Sequence, residues 1–428
     1  MDKNNENENI LDTLKLYLSK GSSNLLTFLK WLALSIFTGV FVGAVGALFF
    51  HCLEIATEYR TQNEHIILLL PFSGLIIVFI YRLAKDKGQG TNLILKAVQS
   101  DEAVPINVAP LIFISTVITH IFGGSAGREG AAVQIGGSLG NALGTFIKLD
   151  DFDKRMLTMC GVSAAFSAVF GTPIAAALFA MEVVSVGIMY YSALVPCAIA
   201  SLTAHRIAER LNCKGEGFHV LYITDYTLET GAKTLVVIIL ASLVSILFCI
   251  ALKQSSVLFK KFAPNPYLRI MTGGFIIVIL TFLLGTTDYN GAGIPVMERA
   301  FRGEVNPEAW ILKLLFTAIT LGCGFKGGEI VPSFYIGTTF GCFLGRYLNI
   351  SPSLCAAVGM IAVFCGVTNC PIASLIIAIE LFGMEGIEYY LAAVAVSYML
   401  SGYYGLYNSQ KIIYSKYRTE KVNKTAHH

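Results

Sequence analysis

One internal repeat constrains this chain more than any other feature. GSAGREGAAVQIGGSLG, starting at Gly124, lies over GFKGGEIVPSFYIGTTFG, starting at Gly324, 200 positions later, so that Glu129 falls on Glu329. A second anchor is independent of the first. GVSAAFSAVFGTPIAAALFAMEV from Gly161 matches GMIAVFCGVTNCPIASLIIAIEL from Gly359, pairing Pro173 with Pro371 and Glu182 with Glu380. GQGTN at Gly88 echoes GAGIP at Gly291, each ahead of its Glu-bearing segment. The chain is therefore expected to consist of two halves of one design, over 25–211 and 230–417, joined by a linker at 212–229 and flanked by a segment 1–24 and a tail 418–428.

The material between these anchors is membrane material. The chain is 55% hydrophobic and only 14% charged, against roughly 25% charged in soluble domains. Trp31 to Phe50, Thr234 to Leu252, Tyr347 to Ile379 and Tyr389 to Gln410 carry no formal charge, and each is long enough for a bilayer core that takes about 20 helical residues. Other apolar stretches are short or broken: Ile66 to Ile80 with Pro71, Ala103 to Gly127 with Pro105 and Pro110, and Met271 to Thr287 with its glycines. Broken helices survive at membrane depth only where the freed backbone is buried in protein or lines a hydrated cavity. Repeated halves with broken helices meeting near the midplane are a plan of secondary transporters, and a multi-pass channel or transporter of the cell membrane is the expected class.

Charge excludes other classes. A net charge of +3, with the basic residues in short connectors and at the ends, does not fit a nucleic-acid surface. Lys15, Lys20, the Arg82, Lys85, Lys87 connector and the basic run Lys411 to Lys424 place both termini in the cytoplasm under the positive-inside rule. The ten cysteines lie mostly inside apolar runs, with no pair at zinc or redox spacing, and read as small buried hydrophobes. No metal or cofactor is called for. The polar start MDKNNENENILDTLKLYLSK lacks the pattern of a cleaved signal peptide.

The chemistry concentrates at Arg128 and Glu129, held among glycines in an otherwise uncharged stretch. Gly127 and Gly130 permit a tight lead-in to a helix, whose unpaired amides and dipole make an anion site. A carboxylate at Glu129 competes with a dissolved anion for those amides. Ionised, it occupies them; protonated, it leaves, and one side chain thereby links proton and anion movement in opposite directions. The alternative is a Glu129 ion-paired to Arg128 that only packs helices, although neighbours on a helix point apart. Gly322, Gly324 and Gly327 satisfy G-x-G-x-x-G but sit inside a membrane segment, not between a strand and a soluble helix. His120 reads as a hydrogen-bonded core residue, and Glu182 and Glu380 as acceptors at helix ends. An intramembrane enzyme or sensor using Glu129 and Glu329 as an acid pair lacks a nucleophile, a metal cluster and an effector domain.

At these residues the sequence resembles the CLC family of anion channels and anion/proton antiporters. The family's G-S-G-I-P, G-[KR]-E-G-P and G-x-F-x-P appear here as GQGTN at Gly88, GREGA at Gly127 and GEIVP at Gly328, with tyrosines in YYGLYNSQ. The resemblance implies an all-α inverted repeat of tilted and broken helices, a homodimer, and a gating role for Glu129. It implies anion contacts at Gln89, Gly90, Gly127, Arg128, Gly130 and Ile330, and a hydroxyl from Tyr407, with Tyr403 and Tyr404 as neighbouring alternatives. Four departures matter: Gln89 stands where chloride-handling members have serine, Ala131 replaces proline, Glu329 and Ile330 stand in the second-half motif, and Val183 occupies the inner proton glutamate's place. Together they resemble the fluoride-exporting branch, which exchanges fluoride for protons, with Glu329 as a second acidic stop. Gln89 itself is not that branch's expected residue, and a chloride/proton exchanger or passive chloride channel is the alternative. Fluoride is small, strongly hydrated and a strong acceptor, so its site must supply close donors, which amides, Gln89 and a tyrosine hydroxyl provide.

Overall fold

The computed structural model describes residues 2–86, 88–100, 102, 104–215 and 217–426, with side chains described from residue 23 onward. Lys87 and the side chains of Lys15 and Lys20, used in the orientation reading, lie outside the described set. The first half runs α1 Asp2–Gln62, a 3-10 turn Glu64–Leu69, α2 Leu70–Leu83, α3 Thr91–Gln99, α4 Val108–Ile121, α5 Glu129–Phe146, α6 Asp151–Phe170, α7 Pro173–Glu182 and α8 Leu194–Arg210. The second runs α9 Leu228–Phe262, α10 Pro266–Leu284, α11 Ile294–Phe301, α12 Ala309–Cys323, α13 Ile330–Tyr347, α14 Pro352–Thr368, α15 Pro371–Phe382 and α16 Ile387–Leu400. Helices α3, α5, α7 and α8 thus have their counterparts in α11, α13, α15 and α16.

Helix starts follow the residues that satisfy their free amides. Asp150 and Ser351 cap α6 and α14 with their side chains, accepting from Asp153 N and Leu354 N. Proline opens α7, α14 and α15 in the first turn, where no backbone donor is needed. The same rule corrects two expected breaks. Pro71 lies in the first turn of α2, so the 3-10 turn and α2 form a continuous span, Glu64–Leu83. The glycines of α10 leave that helix unbroken over 19 residues, because Gly273 packs on Cys323 and Gly274 on Pro71. Conversely, the uncharged run from Tyr347 divides at Asn369, which takes a left-handed φ of 58° at the end of α14.

Phe72, Ile76, Phe79 and Leu83 are exposed along one face of α2, as lipid-facing side chains of a spanning helix are. Inside, glycines let helices touch backbone to backbone: Gly136 of α5 against Gly161 of α6, and Gly337 of α13 against Gly359 of α14. Between the halves, Phe170 stacks on Phe334 at 5.4 Å and Phe179 meets Phe364 at 6.3 Å.

Reciprocal contacts relate the halves by a local two-fold. The Glu182 carboxylate ending α7 accepts from Ile372 N and Ala373 N at the start of α15, at 3.1 and 2.8 Å. The Glu380 carboxylate in α15 accepts from Ile174 N and Ala175 N at the start of α7, at 2.9 and 2.8 Å. Each acid serves the opposite half as an N-terminal cap, which agrees with the helix-end role read from sequence. Glu182→Ala is expected to lower stability by about 1–3 kcal/mol, since it strips buried amides of a charged acceptor. Unfolding in detergent measures the loss, and Glu380→Ala, at a more exposed acid, should cost less.

A small sheet lies outside the helices, where the sequence had shown only basic residues. Its strands β1 Ser185–Val186, β2 Lys411–Tyr414 and β3 Lys421–Thr425 lie in that order, β1 parallel and β3 antiparallel to β2. The C-terminal residues thus form a strap against the end of α7.

Candidate functional site

The starts of α5 and α13 meet at the centre through a two-residue antiparallel bridge. Gly127 N donates to Gly328 O at 2.8 Å, and Gly328 N donates to Gly127 O at 2.7 Å. Only glycine fits so close an approach. A Cβ on Gly328 would stand 2.6 Å from Gly130 N, and one on Gly130 would stand 2.9 Å from the Gly328 Cα.

The loop leading into α5 is held by second-half residues. Asn290 Nδ2 donates to Gly123 O at 2.9 Å, Gly291 N donates to Gly124 O at 3.1 Å, and Ser125 N donates to Thr320 Oγ1 at 3.1 Å. The Ser125 and Thr317 hydroxyls are 3.0 Å apart. The repeat therefore builds the site by clamping one half's loop with the other half's side chains.

Glu129, the first residue of α5, is 0% exposed. Its Oε2 accepts from Arg128 N at 3.2 Å and its Oε1 from Arg128 Nε at 3.3 Å. The expectation that neighbouring side chains point apart does not hold here. Arg128 is the N-cap, with φ −113° and ψ −27°, so its side chain is outside the helical register and turns back onto Glu129. The guanidinium also lies over the Phe50 ring at 4.6 Å. Arg128 thus supplies both a backbone and a side-chain donor at one point.

Glu329 stands at the N-cap position of α13 without a side-chain capping bond and is partly exposed, while its buried Oε2 has no hydrogen-bond partner among the described residues. That oxygen lies 3.2 Å from where a Gly130 Cβ would be, so the two acids flank one glycine contact. Glu329 lines a cavity of about 360 Å³ with Lys253, Ser256, Lys260, Leu406 and Asn408. Tyr407, adjacent to two of these residues in the chain, is 2% exposed, and its hydroxyl has no partner among the described residues. Tyr403 instead shares a 3.1 Å contact with Ser415 Oγ. Ile330 is fully buried at the first position of α13.

Gly90, with φ 66°, leads into α3, and the next residue, Thr91, donates its hydroxyl to Gly130 O at 3.5 Å. Gln134, one turn into α5, donates to Gly130 O at 3.2 Å and to Thr91 Oγ1 at 3.4 Å. Gln89 is exposed, and its Oε1 accepts from Lys96 Nζ at 3.3 Å. The amide that stands beside Glu129's helix start is therefore Gln134, which sequence reading passed over although it is the one amide within the first two turns after GREG. Asn290 and Thr320 were missed for a different reason, since their role depends on the opposite half. His120 is buried with Nδ1 2.9 Å from Thr116 O, a core histidine as expected.

Comparison with known proteins agrees with this architecture. Residues 73–402 match the family described as voltage gated chloride channel. A chloride/fluoride channel protein of Pseudomonas syringae pv. tomato is 36% identical over 400 residues, covering 91% of this chain and 88% of that protein. A crystal structure of a CLC-type fluoride/proton antiporter superposes with a TM-score of 0.86 at 32% identity, over 90% of this chain and 98% of that one. The structure of a slow cyanobacterial Cl-/H+ antiporter shares the fold, with a TM-score of 0.75 at 20% identity over 87% and 94% of the two chains. A match across most of the chain, joined to this level of identity, means that the protein belongs to the voltage gated chloride channel (CLC) family of membrane channels and transporters, which are not enzymes.

Proposed function

We propose that this protein exchanges fluoride for protons across the cell membrane, as a homodimer with cytoplasmic termini, and that Glu129 is the group both ions share. The observation carrying the proposal is a carboxylate with no solvent exposure, bound to a backbone amide at a helix start that is itself fixed by the opposite half. Ionised, Glu129 accepts from the Arg128 amide and guanidinium. Protonation weakens both interactions, the side chain leaves, and an anion takes over donors that are already in place.

Glu329 is the second acidic stop in this scheme. Its buried oxygen has no partner among the described residues, and neither does the hydroxyl of Tyr407, whose chain neighbours Leu406 and Asn408 line the same cavity as Glu329. That hydroxyl is the donor for an anion arriving from the strap side, while Gly90, Gly127, Gly130 and Ile330 shape the path between backbone segments. Gln89 stands at the mouth of this path, on Lys96. Fluoride over chloride is supported by the likeness to a fluoride/proton antiporter at 32% identity, and by Val183, Ala131 and Glu329 in place of the residues of chloride-handling members; the relative at 36% identity is described as handling both ions.

The test is transport by purified protein in liposomes. An imposed pH gradient should drive fluoride uphill, with chloride moving far more slowly. Chloride driven as fast as fluoride would replace this reading with chloride/proton exchange, and anion flux indifferent to the proton gradient would replace it with a passive channel.

A further inference from the structure

The strap formed by β2, β3 and the turn between them carries a lysine whose side chain leaves the surface. Lys416 Nζ donates to Asn369 Oδ1 at 2.5 Å and to Ser401 Oγ at 3.1 Å, and lies 4.5 Å from the centre of the Tyr398 ring. Among the described residues it has no carboxylate partner. A strap that served only to cover the helix ends would not need to carry an ammonium inward, away from water.

What the ammonium reaches is a hub. Asn369 closes α14 in the left-handed region, and its Nδ2 donates both to Tyr404 O and to Gln410 Oε1, each at 2.9 Å. Those two residues bracket Tyr407. Gln410 is tied down in turn, its Nε2 donating to Val183 O at 3.0 Å and to Thr368 O at 2.8 Å. Within the bracket, Leu406 N donates to Val367 O at 2.9 Å. With Nδ2 committed to the bracket, Lys416 on Oδ1 fixes which way the Asn369 amide faces.

We propose that Lys416 is a positioning residue for Tyr407: through Asn369 it locks both ends of the Tyr404–Gln410 segment, so that the buried hydroxyl stands where an anion arriving from the strap side meets it. The inference rests on the role given to Tyr407 above. It makes the strap part of the transport machinery.

A double-mutant cycle in the full-length protein tests it, with fluoride supplied to liposomes on the strap side. Lys416→Met should raise the apparent KM for fluoride about two- to tenfold, the span of one lost hydrogen bond, with little change in maximal turnover. Lys416→Arg keeps the charge and the donors and should restore most of the affinity. Tyr407→Phe alone should raise the same constant, and adding Lys416→Met to it should change it no further, because the displaced ring has no hydroxyl left to lose. Effects that multiply would mean that Lys416 acts elsewhere, and a Lys416→Met protein that melts earlier but binds fluoride normally would reduce the strap to a brace; either overturns the inference and leaves the exchange reading standing. If Tyr407→Phe binds fluoride like the parent, the tyrosine drops out of the exchange reading and this inference falls with it. Lys416→Gln takes the place of Lys416→Met in the same comparison should the latter fail to fold.

Discussion

Glu129→Gln is expected to abolish proton-driven fluoride transport while leaving a folded protein. The glutamine is nearly isosteric, so the helix start and the Gly127–Gly328 bridge keep their packing. It cannot change charge, and its NH2 group must replace one of the two oxygens, setting donor against donor at either the Arg128 amide, 3.2 Å away, or the guanidinium, 3.3 Å away. The side chain no longer returns to the amides on deprotonation. Loss of a group that carries a proton in the working cycle typically costs about 10²- to 10⁴-fold in rate, and coupled transport should fall by at least the lower figure. Paired measurements decide the matter: fluoride uptake driven by a pH gradient, and proton movement driven by a fluoride gradient. Both should vanish while passive fluoride leak persists. Uphill fluoride movement at the parental rate in this variant would dismiss the switch.

Gly328→Ala should be nearly as damaging, for a steric reason. The added methyl would lie 2.6 Å from Gly130 N, 3.1 Å from Gly130 Cα and 3.4 Å from Glu129 N. All three are backbone atoms, so no flexible side chain can give way, and the starts of α5 and α13 must part. Overpacking of this kind costs about 1–3 kcal/mol. Here the displacement falls on the two hydrogen bonds of the central bridge and on the amides beside Glu129. Fluoride transport should drop about tenfold or more, since about 1.4 kcal/mol is a factor of ten, and the melting temperature should fall with it. Gly217→Ala provides the comparison, because a Cβ there meets nothing within 4 Å. Parental transport by Gly328→Ala would show that the bridge tolerates separation and that the site's geometry does not depend on it.

Much of the architecture was legible in the sequence because the repeat is written in residues with stringent physical roles. Glycines at close approaches, prolines in first turns and acids at helix ends recur in both halves, and the alignment that pairs Glu182 with Glu380 places them at matching points of α7 and α15. The one that lays Glu129 over Glu329 is one residue out of register, because Glu129 is the first residue of α5 while Glu329, like Arg128, is an N-cap. The interruptions were harder to read. Pro71 and the glycines of α10 look like breaks in a linear text, but proline costs nothing in a first turn, and glycine inside a helix can serve a neighbouring helix instead. The clamp of Asn290, Thr317 and Thr320 on the Gly123–Gly127 loop could not be read locally, since each contact joins residues far apart in the chain. Arg128 shows the same limit at close range: its pairing with Glu129 follows from an N-cap backbone angle, which no spacing rule contains. The strap was invisible for a simpler reason. KIIYSKYRTEKVNKT reads as a basic tail until β1 supplies the edge on which it pairs.

The crossed capping by Glu182 and Glu380 has a consequence for how the molecule is made. Ile174 N waits for a carboxylate 206 residues further along, and Ile372 N for one 190 residues behind. As the ribosome works from the amino end, the first half enters the bilayer with the start of α7 still lacking its acceptor, and completes that turn only once Glu380 has been synthesised. A half-chain released early carries an open amide pair in a nonpolar medium, which is the kind of defect that membrane quality control can detect.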